Sequence, residues 1–246
     1  MFDTLGYIVA ANQSESTVAA RVTTDHVGYY CGRFDPGFLG EPLNAPSNIV
    51  FILMAALAFR TWKRAPARDW AILVLIVSGA AVGIGSFIFH THPTRVTLQI
   101  DLIPVEIFGL LYVGFAARRF FGARLTATVV AVLAFFFLTL ASNAVLPAGL
   151  WGGGVRHLPS LVALLLCGTW FATRGMSDGA RRTGKMLWLA AALLAAGLLF
   201  RSVDLSLCDA FPHGVHWVWH VFTGCALGVL LFAAIGHSSS AKSITP

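Results

Sequence analysis

Long apolar runs separated by short basic connections set the pattern of this chain. Seven stretches, at about residues 45–62, 70–91, 99–117, 125–146, 158–173, 186–203 and 215–235, are long enough, or nearly so, to cross roughly 30 Å of hydrocarbon. The fifth and sixth are the shortest. In lipid an unbroken apolar segment must satisfy its own backbone hydrogen bonds, so each stretch is expected to be a helix. The pattern predicts an all-α, polytopic membrane protein with a seven-helix bundle over 45–236. Before it lies a mixed polar and aromatic flap, 1–44, and after it a Ser-rich tail, 237–246, expected to be disordered. No internal repeat or low-complexity linker divides the chain. The apolar run near the start is too short, and lacks the preceding positive charge, to read as a cleavable signal.

Composition agrees. The chain is 57% hydrophobic and 11% charged with a mean hydropathy of +0.76, whereas a soluble domain carries about 25% charged residues. The net charge of +6 is unevenly placed. Arg60, Lys63, Arg64, Arg68, Arg118, Arg119, Arg124, Arg174, Arg181, Arg182, Lys185 and Lys242 fall on one side, and Arg21, Arg33, Arg95, Arg156 and Arg201 on the other. Basic loops stay in the cytoplasm, which puts the amino terminus outside and the carboxyl terminus inside. The excess positive charge is thereby explained, and a nucleic-acid footprint is not called for.

That orientation brings five polar residues to one depth. Ser86 and His90 close the second span, Asp101 opens the third, and His216 and His220 open the seventh, all near the outer end. Ionisable groups inside a span are costly and are normally kept for function. His216 and His220, four apart, share a helix face, as do Ser86 and His90. Three imidazoles with one open position is the donor set of a catalytic Zn²⁺. The soluble zinc-protease signature has Glu after the first His, but position 217 is Trp, so Asp101 becomes the candidate base. Ser86 is the candidate donor to a developing oxyanion. Asp204, at the outer end of the sixth span, reads either as an acceptor for a ligating imidazole or as an ion-pair partner of Arg201. Cys31 and Cys208 also fall outside, where an oxidising compartment allows a disulfide; the alternative is two separate thiols. Cys167 and Cys225 lie within spans and read as small packing residues.

Together these residues carry a resemblance. Glu41-Pro42-Leu43-Asn44-Ala45-Pro46-Ser47-Asn48, then Gly85-Ser86 with His90, then Gln99-Ile100-Asp101, then His216-Trp217-Val218-Trp219-His220 with Thr223-Gly224, are similar to the successive signatures of the alkaline ceramidase family. That family is part of a larger group of seven-helix membrane hydrolases that includes the adiponectin and progestin receptors. The resemblance implies a zinc-dependent amidase cleaving ceramide, or a related N-acyl lipid, to a free amine lipid and a fatty acid. It implies that His90, His216 and His220 hold the metal, that Ser86 and Asp101 are the catalytic pair, and that Cys31 and Cys208 are bridged. The family's N-terminal acidic cluster, which resembles a Ca²⁺ site, is reduced here to Asp35 and Glu41 with Arg33 among them. A hard cation wants several carboxylates, so Ca²⁺ is not expected and an ion pair of Arg33 with Asp35 or Glu41 replaces it.

The partner expected is a membrane lipid, with no nucleic acid and no obligate protein partner. The Ala-, Gly- and Leu-rich composition suits a bacterial inner membrane, with the site toward the periplasm. The competing reading is a lipid receptor or sensor on the same bundle without turnover, although the flap and tail offer little to signal with. A metal transporter would call for a midplane site with repeats or broken helices.

Overall fold

Among the described residues the first helix begins at Asn44, and from there on the apolar runs dictate the architecture. In the computed structural model the described residues are 30–242, less 36, 67, 148, 175 and 176, with side chains described as far as Ser238. Most of the expected flap and the last four residues therefore lie outside the described residues. The helices are α1 (Asn44–Ser47), α2 (Ile49–Arg64), α3 (Trp70–Thr91), α4 (Arg95–Arg119), α5 (Leu125–Val145), α6 (Leu158–Arg174), α7 (Asp178–Val203) and α8 (His216–Lys242). A 3-10 segment, Leu150–His157, leads into α6. No strand occurs among the described residues. Counting α1 with α2 and the 3-10 segment with α6, seven helices among the described residues are long and apolar enough to cross a membrane, as expected of an integral membrane protein.

Several helices outrun the apolar stretches that announced them, because polar residues can cap or fill a turn that hydropathy overlooks. α4 begins at Arg95, where Thr94 and Thr97 form a reciprocal capping box. α7 begins at Asp178, its first turns carrying Arg181, Arg182 and Lys185, with the Ser177 side chain accepting from Ala180 N at 3.2 Å. The tail expected to be disordered from residue 237 is corrected in part: α8 continues to Lys242. His237 there meets Thr183 at 3.1 Å and packs against Phe120 with ring centroids 4.6 Å apart. Tertiary contact, not apolarity, holds the helix at His237.

The most extensive packing joins α7 to α8, α6 to α7 and α3 to α4, while α5 rests chiefly on α4 and touches α6 only sparsely. One core, around Phe51, Ile72, Leu75, Trp62, Leu187 and Leu231, fills the bundle. Much of the outer face is apolar and exposed, as at Val77, Val130, Leu138 and Leu166, which suits contact with lipid tails.

The crossing of α3 and α4 decides where polar side chains can meet. Pro104 has no N–H, so the carbonyl four residues back, Ile100 O, loses its helical donor. Gly85 packs against that carbonyl: a Cβ at Gly85 would collide with Ile100 O and lie 3.4 Å from Asp101 Cα. The absent side chain lets the two backbones approach and sets Ser86 beside Asp101. Gly85→Val is therefore expected to force the helices apart and destabilise the protein by roughly 1–3 kcal/mol, the usual cost of overpacking. Thermal unfolding in detergent checks this; an unchanged melting temperature would show that the crossing is slack.

Candidate metal centre

α8 is placed by a carboxylate, not by its own apolar content. The first N–H groups of a helix lack intrahelical partners and favour negative charge. Asp204 supplies both: its Oδ1 accepts Val215 N at 2.7 Å and His216 N at 2.9 Å, and its Oδ2 accepts Cys31 N at 3.0 Å. Gly214, at φ 66°, lets the chain turn past this carboxylate; a Cβ there would sit 2.7 Å from Asp204 Oδ1. The two roles read for Asp204 in the sequence, acceptor for an imidazole or partner of Arg201, are both replaced. It binds backbone N–H groups and so fixes the position of His216 and of the N-terminal segment. Cys31 and Cys208 form a disulfide, Cα atoms 5.7 Å apart, which closes the same junction covalently.

Three imidazoles meet beneath this junction. His216 and His220 lie one turn apart on α8, and His90 lies in the last turn of α3. Ring centroids are 4.7 Å apart for His90 and His220, 4.7 Å for His216 and His220, and 5.3 Å for His90 and His216. All three are buried, and their candidate ligand atoms fall within 4.8 Å of one another. Among the described residues this is the group able to hold a metal ion.

The hydrogen bonds around the rings leave lone pairs for that purpose. Ser47 Oγ donates to Asn44 O at 2.8 Å, so it can only accept from His220 Nδ1, 2.7 Å away. Nδ1 of His220 then carries the proton and Nε2 is free. His90 Nδ1 lies 2.6 Å from Glu41 Oε2, which leaves its Nε2 buried without a hydrogen-bond partner. His216 is held by stacking on Tyr30, ring centroids 3.5 Å apart, and its Nδ1 is likewise buried without a hydrogen-bond partner. Buried polar atoms are normally paired. Orphaned imidazole nitrogens converging from two helices fit a divalent metal with nitrogen ligands.

Glu41 is the hinge of this arrangement. Arg33 Nε donates to Glu41 Oε1 at 2.9 Å, while Asn44 Nδ2 donates to Oε2 at 3.0 Å. Arg33 also donates to the His90 carbonyl at 3.0 Å and to the Asp35 carbonyl at 3.1 Å. Burial alone would push the Glu41 carboxyl up, but the hydrogen bond of His90, the Asn44 amide and the Arg33 guanidinium together hold it below the usual range. Glu41 is thus ionised and gives His90 a fixed orientation. Asp35, offered beside Glu41 by the sequence, stays exposed and accepts instead from Gly37 N at 2.6 Å.

Ser86 and Asp101 complete the layer, the hydroxyl within hydrogen-bonding reach of the carboxylate. Both line, with His216 and His220, one end of a cavity of about 880 Å³. Its walls are otherwise largely apolar and run between α4, α5, α6 and α8 past Phe108, Phe135, Leu138 and Cys167 to Phe120. From Asp101 to Phe120 along α4 is roughly 28 Å at 1.5 Å per residue. A volume this size is at the upper end for a small-molecule site.

Sequence reasoning did not see what Glu41, Asn44, Ser47 and Tyr30 do for the imidazoles. The spacing of 41, 44 and 47 was a usable signal, since residues three apart share a helical face; the partners across space were not.

His216→Ala is expected to abolish stoichiometric metal in the purified protein, as read by elemental analysis. Glu41→Gln keeps the shape but weakens the orientation of His90, so metal affinity should fall about 10- to 100-fold in chelator competition. An unaltered affinity in Glu41→Gln would show that His90 needs no such support.

No curated protein matches the sequence. The family model described as ceramidase matches residues 37–243, from just ahead of Glu41 to the end of α8. That span holds the three histidines with Glu41, Asn44, Ser47, Ser86 and Asp101 and every residue lining the cavity, while Tyr30, Cys31 and Arg33 precede it; on a match of this extent the chain belongs to the ceramidase family.

Proposed function

We propose that this protein is a zinc-dependent hydrolase of the amide bond in ceramide or a related N-acyl lipid, acting within the membrane. The observation that supports it is a single one. Three buried imidazoles turn nitrogens toward one another, and two of them, His216 and His220, open with Ser86 and Asp101 onto an apolar cavity, in a chain of the ceramidase family. His90, His216 and His220 would hold the metal; bound Zn²⁺ supplies Lewis acidity that polarises a carbonyl and acidifies water.

The chain's own residues divide the remaining work. The apolar walls hold the acyl chain and position the amide beside Ser86 and Asp101. Asp101 takes a proton from the attacking water and delivers it to the departing amine nitrogen. Ser86 donates a hydrogen bond to the carbonyl oxygen as negative charge develops there. Burial strengthens these interactions by excluding bulk water. The Arg33–Glu41 pair takes the place that a calcium ion would otherwise fill, since both Glu41 oxygens are already engaged. The excess of basic residues on the connections opposite the site favours an extracytoplasmic site, periplasmic in a bacterial inner membrane.

Purified protein incubated with ceramides and other N-acyl lipids should release fatty acid. Asp101→Asn should lower kcat about 10²- to 10⁴-fold while retaining the metal, and Ser86→Ala about 10²- to 10³-fold. Full metal content with no turnover of any N-acyl lipid would refute the proposal.

A further inference from the structure

Arg201, in the last turn of α7, lines the cavity beside the histidine site. Its Nε donates to Gly152 O at 2.9 Å, and its guanidinium carbon lies 5.2 Å from the Tyr30 ring centre and 5.4 Å from that of Trp219. Tyr30 in turn stacks on His216 at 3.5 Å, so the cation stands two ring contacts from a candidate metal ligand. No carboxylate lies within ion-pair distance of Arg201 among the described residues, although the charge of Asp101 reaches both Arg201 and Arg156. Arg156, from the 3-10 segment, lines the same cavity, and its only ion pair among the described residues is a long one, 3.9 Å to Glu106.

A half-buried guanidinium without a contacting counter-ion is costly, and the two aromatic rings, with one carboxylate shared at longer range between two guanidinium groups, offset only part of that cost. Cations within membrane-spanning helices are retained where something negative comes to meet them. Guanidinium groups also match carboxylate and phosphate in shape, with paired donors. The acyl half of a substrate belongs along the apolar walls, which leaves the amine half for the polar end, where both guanidinium groups stand.

We infer that Arg201 and Arg156 form a subsite for an anion on the amine side of an N-acyl lipid, either a carboxylate or a phosphate ester. This deepens the hydrolase reading above and rests on it for the placement of the two halves. The preferred substrate is then an acidic N-acyl lipid, ahead of neutral ceramide.

Binding tests the subsite independently of turnover. The metal-loaded full-length Asp101→Asn protein in detergent is titrated with N-oleoylglycine, its neutral counterpart N-oleoylethanolamine, and oleate. The acidic amide should bind about tenfold more tightly than the neutral one. Arg201→Gln should bring the two within about twofold, and Arg201→Lys should restore part of the preference. Equal binding of the two amides overturns the proposal even if wild-type protein hydrolyses both. A preference undiminished in both Arg201→Gln and Arg156→Gln overturns it too. Oleate binding as tightly as N-oleoylglycine, with no preference between the amides, assigns the arginines to the released fatty acid and overturns the amine-side placement. The tenfold preference with no hydrolysis by the wild type sustains the subsite and sinks the hydrolase reading instead.

Discussion

Everything at the polar end of this bundle follows from one requirement: three buried imidazoles must each turn a nitrogen toward a common point and yet be held still. An imidazole has two nitrogens, and in water either could turn inward. Here each ring is pinned from behind. Glu41 takes the proton-bearing nitrogen of His90, Ser47 that of His220, and Tyr30 covers the face of His216. The nitrogens left over are the ones that converge.

The supports come from the start of the first span and the segment just before it. Arg33, Glu41, Asn44 and Ser47 precede α2, and they are tied down by Asp204 and by the disulfide to Cys208. Asp204 is economical in this respect: one carboxylate starts α8, sets His216 and anchors Cys31. Arg33 balances the charge of Glu41 while holding the carbonyl of His90, so the support is matched in charge as well as in shape. Breaking one partner of such a buried pair exposes the other to a full desolvation cost, which is why these positions should tolerate little change.

The cavity joins two environments that a membrane enzyme must bring together. Its long walls are aliphatic and aromatic, and its end carries Ser86, Asp101, His216, His220 and two guanidinium groups. The α3–α4 crossing at Gly85 makes the contact of Ser86 with Asp101 possible, and the freed carbonyl created by Pro104 makes the crossing close. A backbone detail in the middle of two apolar helices thus decides the spacing of the polar pair.

Seven spans could be read from hydropathy because a membrane demands about twenty apolar residues and a self-satisfied backbone. His216 and His220 were legible as a pair because helical periodicity is local, and His90, Ser86 and Asp101 because charge inside an apolar run is rare. Beyond one turn of helix, the sequence offered depth but not direction. Asp204 could have faced an imidazole or Arg201, and it faces backbone N–H groups; Asp35 and Glu41 were equivalent as acids, and only Glu41 reaches the site. The extra turns of α4, α7 and α8 lay in polar residues that hydropathy cannot weigh. Local chemistry and the solvent of the bundle determined which residues could act; only the packing of distant segments, through contacts more than a hundred residues apart, decided which of them touch.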